Sequence, residues 1–303
     1  EKRSLFIVPQ PSSFLLFFSP FSFSTFSIFF FSFLFLFLLL SISPPSTETP
    51  NMPQLFGVSH MGYVYLATTL LSLSLVYRTL TSQTGSVSTF LFLIFVSWIA
   101  ASFGVITMGF FSLCGVTESV LGKNEKGIPL WSWAFFWPWL VPVNLFWHIS
   151  CAVQNSKGEN ISDEVFKNIY VGRKPRSSKD IPPNTKLIID LTAEFPAHPS
   201  ILHSSQWEYV CCPSFDTMVP SYPQAVEATW RRMVKEEGVI YVHCAFGHGR
   251  SAAFAAAWMI LKGHAKDPKE AEAMMKKGRP SVHLNGVQQA FLKKHLQMVG
   301  KVN

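Results

Sequence analysis

Apolar residues in the first half of the chain are arranged in long runs. Residues 62–77, 87–111 and 128–153 form three such runs, and the middle one lies in a stretch without Asp, Glu, Lys or Arg. A helix of roughly 20 apolar residues crosses a bilayer, so 87–111 is long enough to span. The third run contains five Trp, which suit a membrane interface, so it either spans with a kink or lies partly at the headgroups. We therefore predict a membrane region at 52–153 with two or three helices.

The second half alternates short apolar runs with amphipathic ones. Residues 186–191 and 239–243 are short and apolar, which is typical of buried parallel strands. Residues 221–236 fit a helix that begins with a capping box of Ser221 and Gln224. Further helices are predicted at 251–262, between a cap at Asp267 and a stop at Gly278, and at 285–299. This pattern predicts an α/β sandwich with a central, mostly parallel sheet over residues 154–303.

The first 51 residues form a separate segment dominated by Phe, Ser and Leu. Lys2 and Arg3 precede an apolar run, as in a signal peptide, and the run also fits part of a membrane helix. Phe, Ser, Leu and Pro all have pyrimidine-rich codons, and the chain does not begin with Met. We favour the interpretation that this leader is a translated untranslated region, with Met52 or Met61 as the true start.

Charged residues are distributed unevenly along the chain. Residues 1–153 carry five Lys or Arg and four Asp or Glu, whereas 154–303 carry twenty and fourteen. The second half therefore resembles a soluble domain in charge content, and the first half does not. The Lys and Arg residues are scattered among acidic ones, without a basic stripe interleaved with aromatic residues. We therefore expect no nucleic-acid partner.

Cysteine usage and the position of basic residues predict the compartment. Five Cys without regular spacing argue against a disulfide framework and against a CxxC-type zinc site. A set of basic residues follows the last apolar run: Lys157, Lys167, Arg173, Lys174 and Arg176. Because positive charge favours the cytosolic side of a membrane segment, we expect a multi-pass membrane protein whose C-terminal domain faces the reducing cytosol.

The run that starts at Cys244 carries the most specific chemistry. A buried strand delivers Cys244 to a short loop, and Arg250 and Ser251 then open a helix. The backbone N–H groups of such a loop, with the helix N-terminus, form a cradle for a doubly charged anion and favour thiolate over thiol. Arg250 is suited to hold two phosphoryl oxygens in a bidentate fork. The predicted substrate-binding residues are His243, Ala245, Phe246, Gly247, His248 and Gly249.

The pattern His-Cys-x-x-Gly-x-x-Arg-Ser at 243–251 resembles the active-site signature of the protein tyrosine phosphatase superfamily. The resemblance narrows to the dual-specificity branch and covers about residues 165–300. Residues 166–173 resemble that branch's opening strand, 187–192 resemble its next strand, and Arg279-Pro280 resembles the start of its C-terminal tail. The phosphotyrosine-recognition loop and the Trp-Pro-Asp string of tyrosine-specific members are missing, which implies a shallow and permissive pocket.

The resemblance implies roles for further residues. The family keeps a general acid on a loop before the catalytic strand, and Asp216 fits that position, with Glu208 as the next candidate. Ser251 either donates to the Cys244 sulfur when the sulfur leaves or simply caps the helix. His243 is expected to orient the loop, and His248 to add positive charge toward the substrate. Cys211 and Cys212 are either strand residues or partners for a protective disulfide with Cys244.

These observations lead to one main function and two alternatives. We expect a membrane-tethered phosphatase that hydrolyses phosphomonoesters on proteins through a cysteinyl-phosphate intermediate, without a metal or other cofactor. The first alternative is a lipid phosphatase, acting on a phosphoinositide or on phosphatidylglycerophosphate. The second is an inactive phosphate-binding scaffold on a membrane. Inactive members of the family usually lack the Cys, the Arg or the acid, and all three are present here.

Overall fold

The computed structural model describes residues 60–81 and 86–299. The interpretations of residues 1–51 as a leader and of Met52 as a start site fall outside this range. The first part of the described chain is a bundle of three helices, α1 (His60–Thr81), α2 (Val87–Phe110) and α3 (Leu130–Ser156). The Trp98 Nε1–H group of α2 donates to the carbonyl of Phe135 in α3 at 2.8 Å, and α1 packs along α2.

The three apolar runs do form helices, but they differ in their fitness to cross a membrane. Among the described residues only α2 is long and apolar enough to span, with a mean hydropathy of 2.3 over its best window. Ser, Thr and a terminal Arg78 interrupt α1, while five Trp, Asn144 and His148 lower the hydropathy of α3. The prediction of several spanning segments is therefore not supported. Helix α3 continues through Pro138 and Pro142.

The second part of the chain is built on a five-stranded sheet in the order β1-β2-β5-β3-β4. Only β1 is antiparallel to its neighbour, which confirms the predicted α/β domain with a mostly parallel sheet. The strands are β1 (Ser162–Phe166), β2 (Ile169–Arg173), β3 (Thr185–Thr192), β4 (Glu208–Ser214) and β5 (Val239–Cys244). The helices are α4 (Pro199–Leu202), α5 (Pro223–Lys235), α6 (Arg250–Leu261), α7 (Pro268–Met275) and α8 (Gly286–Val299).

The core of this domain places the end of β5 at the centre of the sheet. Helix α6 is buried along most of its length, and its run of small Ala side chains lets it lie close to β5. Trp230 of α5 and Leu292 of α8 complete the layer on the same side. Because β2 and β3 flank β5 in parallel, Cys244 emerges at the middle of the carboxyl edge, where ligands bind in open α/β sheets.

One predicted helix start is wrong and another is confirmed. Helix α5 begins at Pro223, with Tyr222 as an N-cap that makes no side-chain cap bond. Ser221 does not form the expected capping box, because the Glu118 carboxylate accepts bonds from its N–H and its hydroxyl, both at 2.6 Å. The Asp267 cap is confirmed, since its carboxylate accepts from the backbone N–H of Glu270 at 2.9 Å.

The helical bundle and the sheet domain are joined by buried contacts. Phe110 at the end of α2 stacks on Phe215 after β4, with ring centroids 4.8 Å apart. The Lys123 ammonium, from the segment between α2 and α3, is fully buried and lies 2.7 Å from the Asp190 carboxylate of β3. Although burial raises the pKa of Asp190, Lys123 holds it well below its usual range. The bundle therefore packs on the carboxyl edge of the sheet.

Replacing Lys123 with Met should destabilise the chain, because the Asp190 carboxylate would be left buried without its cation. Breaking a buried ion pair in this way costs about 3 to 5 kcal/mol in the free energy of unfolding. Urea denaturation of the detergent-solubilised chain, followed by Trp fluorescence, would measure the change. Lys126→Met is the matched control, since Lys126 is exposed and its loss should change stability by no more than about 0.5 kcal/mol. Equal denaturation midpoints for the two variants would contradict a stabilising role for the buried Lys123–Asp190 ion pair.

Candidate active site

Cys244 lies at the bottom of a loop whose backbone turns around its sulfur. The backbone N–H of Gly247 donates to Cys244 Sγ at 3.3 Å, and Ser251 Oγ lies 3.4 Å from the same atom. Ser251 makes no helix-cap bond, and Gly249 is the N-cap of α6. Both groups therefore lie within hydrogen-bond distance of the sulfur, next to the N-terminus of α6.

Gly247 is the one loop residue whose backbone requires glycine. Its φ is +75°, and a Cβ at this position would lie 2.3 Å from the carbonyl carbon of Gly172 in β2. The loop is thus pressed against the neighbouring strand, and its N–H groups keep their inward direction only without a side chain here. This agrees with the predicted place of Gly247 in the anion cradle.

The Arg250 side chain is fully buried and held from several sides. Its guanidinium contacts the Glu194 carboxylate at 2.6 and 3.1 Å and the carbonyl of Ser214 at 2.7 Å. Burial alone would lower the pKa of Arg250, but Glu194 and then Asp216 raise it above its ordinary value. Its Nε–H has no hydrogen-bond partner within the described part of the chain, so one buried donor is left for an anion in the cradle.

Asp216 lies at the mouth of the same site. It follows β4 directly, and its carboxylate is 3.1 Å from the Arg250 guanidinium while remaining 42% exposed. The loop is tied down by Asn285, whose amide donates to the Thr217 carbonyl at 2.7 Å. Glu208, the second candidate for the acid, starts β4 at the opposite edge of the sheet and pairs with Arg232 on the surface. The structure therefore brings Asp216 to the site and leaves Glu208 away from it.

His243 and His248, on either side of Cys244 in the sequence, lie in different surroundings. His243 is buried on β5, its Nδ1 is 3.8 Å from the Asp190 carboxylate, and burial lowers its pKa to about 4, so its ring is neutral at pH 7. The His248 ring contacts the Glu159 carboxylate at 2.7 Å. The described contact of His248 is therefore with Glu159. A part for either residue in substrate binding stays a prediction.

Cys211 and Cys212 are too far from Cys244 for the disulfide that the sequence left open. Both lie on β4, and β3 separates β4 from β5. Two strand spacings amount to about 9.6 Å, whereas the Cα atoms of a disulfide are no more than about 7 Å apart. All three thiols are free, and Cys211 and Cys212 are strand residues.

Several residues that brace the loop were missed in the sequence. Arg279 donates to the carbonyls of Gly247 and Phe246 at 2.9 and 3.1 Å, and Glu159 binds Arg279 in turn. Burial raises the pKa of Glu159, but the contacts with His248 and then with Ser281 and Arg279 lower it to about 2. For Glu194 the sequence offered one signal of a role in the site, since the residue follows a predicted strand at its carboxyl end.

The third helix of the bundle also reaches the loop. The Trp147 indole N–H, fully buried in α3, donates to the carbonyl of Ala245 at 2.8 Å. Phe146 meets Phe246 edge to face, with ring centroids 6.3 Å apart. A helix assigned to the membrane by its sequence thus holds the residue next to Cys244 in place.

Comparison with known proteins identifies the type of domain. Residues 169–297 match the family model described as the catalytic domain of dual specificity phosphatases. No curated protein sequence matches the chain. This part of the chain therefore carries a dual-specificity-phosphatase-like catalytic domain, and the helical bundle lies outside the matched residues.

Solved structures similar to the chain cover less than half of it. PTPMT1 in complex with PI(5)P is 19% identical over 47% of this chain and 98% of its own, with a TM-score of 0.39. Tk-PTP in its active form is 19% identical over 45% and 97%, with a TM-score of 0.40. A mouse putative dual specificity phosphatase complexed with zinc tungstate is 20% identical over 47% and 91%, with a TM-score of 0.40.

Proposed function

We propose that the chain hydrolyses phosphomonoesters through a cysteinyl-phosphate intermediate, because its dual-specificity-phosphatase-like domain carries Cys244 in a loop that turns around its sulfur. The observation that carries the proposal is that the Gly247 N–H donates to the Cys244 sulfur, while Arg250, which follows the same loop, keeps a buried Nε–H without a partner in the described part of the chain. An inactive scaffold is disfavoured, because the Cys, the Arg and the acid are all present and Asp216 lies against Arg250.

The first step forms a bond between sulfur and phosphorus. The Cys244 thiolate attacks the phosphorus, the ester P–O bond breaks, and Asp216 gives its proton to the leaving oxygen. Arg250 and the loop N–H groups stabilise the charge that spreads over the three remaining oxygens. In the described state Asp216 pairs with Arg250. A bound phosphate competes for that guanidinium and releases the carboxyl group for proton transfer.

The second step returns the enzyme. Asp216, now a carboxylate, accepts a proton from water, and the water oxygen attacks the phosphorus while the P–S bond breaks. Ser251 Oγ, 3.4 Å from the sulfur, donates a hydrogen bond to the departing thiolate. The products are inorganic phosphate and the free Cys244 thiolate, so the cycle needs no metal or redox partner.

We propose that the helical bundle tethers this domain to a membrane. Helix α2 is the candidate span, and the outer surface of the bundle exposes large apolar side chains such as Leu70, Phe90 and Leu145. We base the proposed cytosolic orientation of the sheet domain on the basic residues that follow α3. Arg173 does not contribute to that surface charge, because it is buried against the Cys151 carbonyl. The basic residues that still support this orientation are Lys157, Lys167, Lys174 and Arg176.

A phosphorylated protein and a phospholipid both present the required phosphomonoester. The sequence favoured proteins slightly. The wall of the site beside Asp216 favours a lipid, because most of the residues that line it are apolar.

Replacing Cys244 with Ser should abolish turnover of an aryl phosphate while binding of tungstate, a phosphate analogue, is kept. The nucleophile is lost, but the loop N–H groups and Arg250 remain. A fluorogenic coumarin phosphate measures turnover, and isothermal titration measures binding. Cys114→Ser is the control, because Cys114 is exposed and far from the loop in sequence. Turnover by Cys244→Ser at the rate of the control would overturn the proposed mechanism.

Replacing Asp216 with Asn should slow hydrolysis in proportion to how much the leaving group needs a proton. For an alkyl phosphate we expect a loss of about 100-fold or more, the usual contribution of general acid catalysis. A nitrophenyl phosphate, which leaves without help, should lose much less in its first step, and burst kinetics separate that step from the second. Glu208→Gln serves as the matched control and should leave both rates unchanged. Equal losses on the two substrates would remove Asp216 from the acid's role.

A further inference from the structure

An apolar pocket opens beside the catalytic loop, where the bundle meets the carboxyl edge of the sheet. It is small, with a cavity volume of about 40 Å³. All three helices contribute to its wall, among them Tyr65 of α1, Phe110 of α2 and Val143 and Phe146 of α3. Of the residues that line it, only Glu194 and Asp216 are charged.

The position of Asp216 indicates which part of a substrate the pocket receives. In an in-line displacement the leaving oxygen lies opposite the Cys244 sulfur, and the acid that protonates it stands beside it. Asp216 lines the pocket, and Ala245 and Phe246 of the catalytic loop form part of its floor. The group attached to the ester oxygen therefore extends from the cradle into this pocket.

The outside of the bundle is also apolar. Apart from Tyr222, the large apolar side chains that are exposed in the described chain all lie on the helices or the segment between α2 and α3. On α3, Val141, Leu145 and Ile149 are exposed, while Val143 and Phe146 line the pocket. The helices that line the pocket therefore also carry an apolar outer surface, which suits contact with a bilayer.

Basic side chains stand where the apolar wall meets the sheet. Lys174 Nζ lies 4.6 Å from the ring centroid of Trp147, and Arg176 lies 5.6 Å from the same ring. Both follow Arg173, the residue of β2 that pairs with Cys244. An anionic headgroup is thus met by positive charge beside the cradle, next to the apolar wall that would receive its hydrophobic part.

We propose that this pocket is a subsite for the apolar part of a lipid phosphomonoester, whose hydrocarbon begins within a few atoms of the phosphate. This rests on the hydrolytic function proposed above and names its substrate class. A phosphopeptide would place backbone amides, which need hydrogen-bond partners, against the aromatic wall. An inositol headgroup would place hydroxyl groups there. Hydrocarbon from a phosphatidate-like lipid satisfies the same wall without unpaired polar groups.

A series of n-alkyl phosphates from ethyl to octyl tests the subsite, because the leaving alcohol changes in length but hardly in acidity. With the full chain in nanodiscs of zwitterionic lipid, we expect kcat/KM to rise about fourfold per methylene over the first few methylenes and then to level off. A flat series from enzyme that still turns over nitrophenyl phosphate would overturn the subsite and leave the hydrolytic function standing. Turnover of nitrophenyl phosphate that survives Cys244→Ser unchanged would instead overturn the function itself.

A pair of valine variants separates the pocket from simple partitioning into the nanodisc. Val143→Trp fills the pocket, so the octyl-to-ethyl ratio of kcat/KM should fall at least tenfold. Val141→Trp makes the same change two residues away on the exposed face of α3, and its ratio should match that of the wild type. Equal ratios in the two variants would contradict the proposal, and the wild-type series decides the matter if Val143→Trp does not fold.

Natural substrate classes provide the final comparison. Dioctanoyl phosphatidate should give a higher kcat/KM than dioctanoyl phosphatidylinositol 5-phosphate or a phosphotyrosine peptide, and Val143→Trp should reduce its rate more than theirs. A peptide that is hydrolysed faster than phosphatidate, and equally well by Val143→Trp, would assign the site to phosphoproteins and overturn the lipid subsite.

Discussion

The three helices cover the carboxyl edge of the sheet, and every polar group that they bury there needs a partner. The rest of the structure depends on this constraint. β3 and β5 end there in groups that are costly to bury alone, among them the Asp190 carboxylate and the Ala245 carbonyl. The bundle and the segment between its helices supply the partners, Lys123 for the first and Trp147 for the second. The helical half of the chain is therefore a wall of the active site.

This arrangement also decides how the chemistry is balanced. In the mechanism we propose, Glu194 holds the Arg250 guanidinium in place, and a phosphate displaces Asp216 from it. Burial by the bundle lowers the local dielectric constant, which strengthens the pull of Arg250 on a bound dianion. Asp216 and the catalytic loop both line the apolar pocket between the bundle and the sheet.

The sequence predicted what is contiguous along the chain. Cys244, Gly247 and Arg250 belong to one run whose loop geometry follows from a strand, glycines and a helix start, and the structure brings them together. Contributions that cross the fold were not predictable in this way. Trp147 acts on Ala245 from 98 residues away, and its apolar helix carried only a membrane signal. The helix cap expected at Ser221 failed for a related reason, because a buried carboxylate from the distant segment before α3 binds that residue more strongly than the local cap does.

The most direct test of a bundle that belongs to the active site is the single hydrogen bond from Trp147 to the catalytic loop. Trp147→Phe keeps the aromatic packing and removes the N–H, so kcat for a fluorogenic aryl phosphate should fall about fivefold, the equivalent of one buried hydrogen bond of about 1 kcal/mol. The exposed Trp131 offers a matched control, and Trp131→Phe should keep the wild-type kcat. A Trp147→Phe enzyme with the kcat of that control would contradict the account, because the loop would then hold its geometry without the bundle.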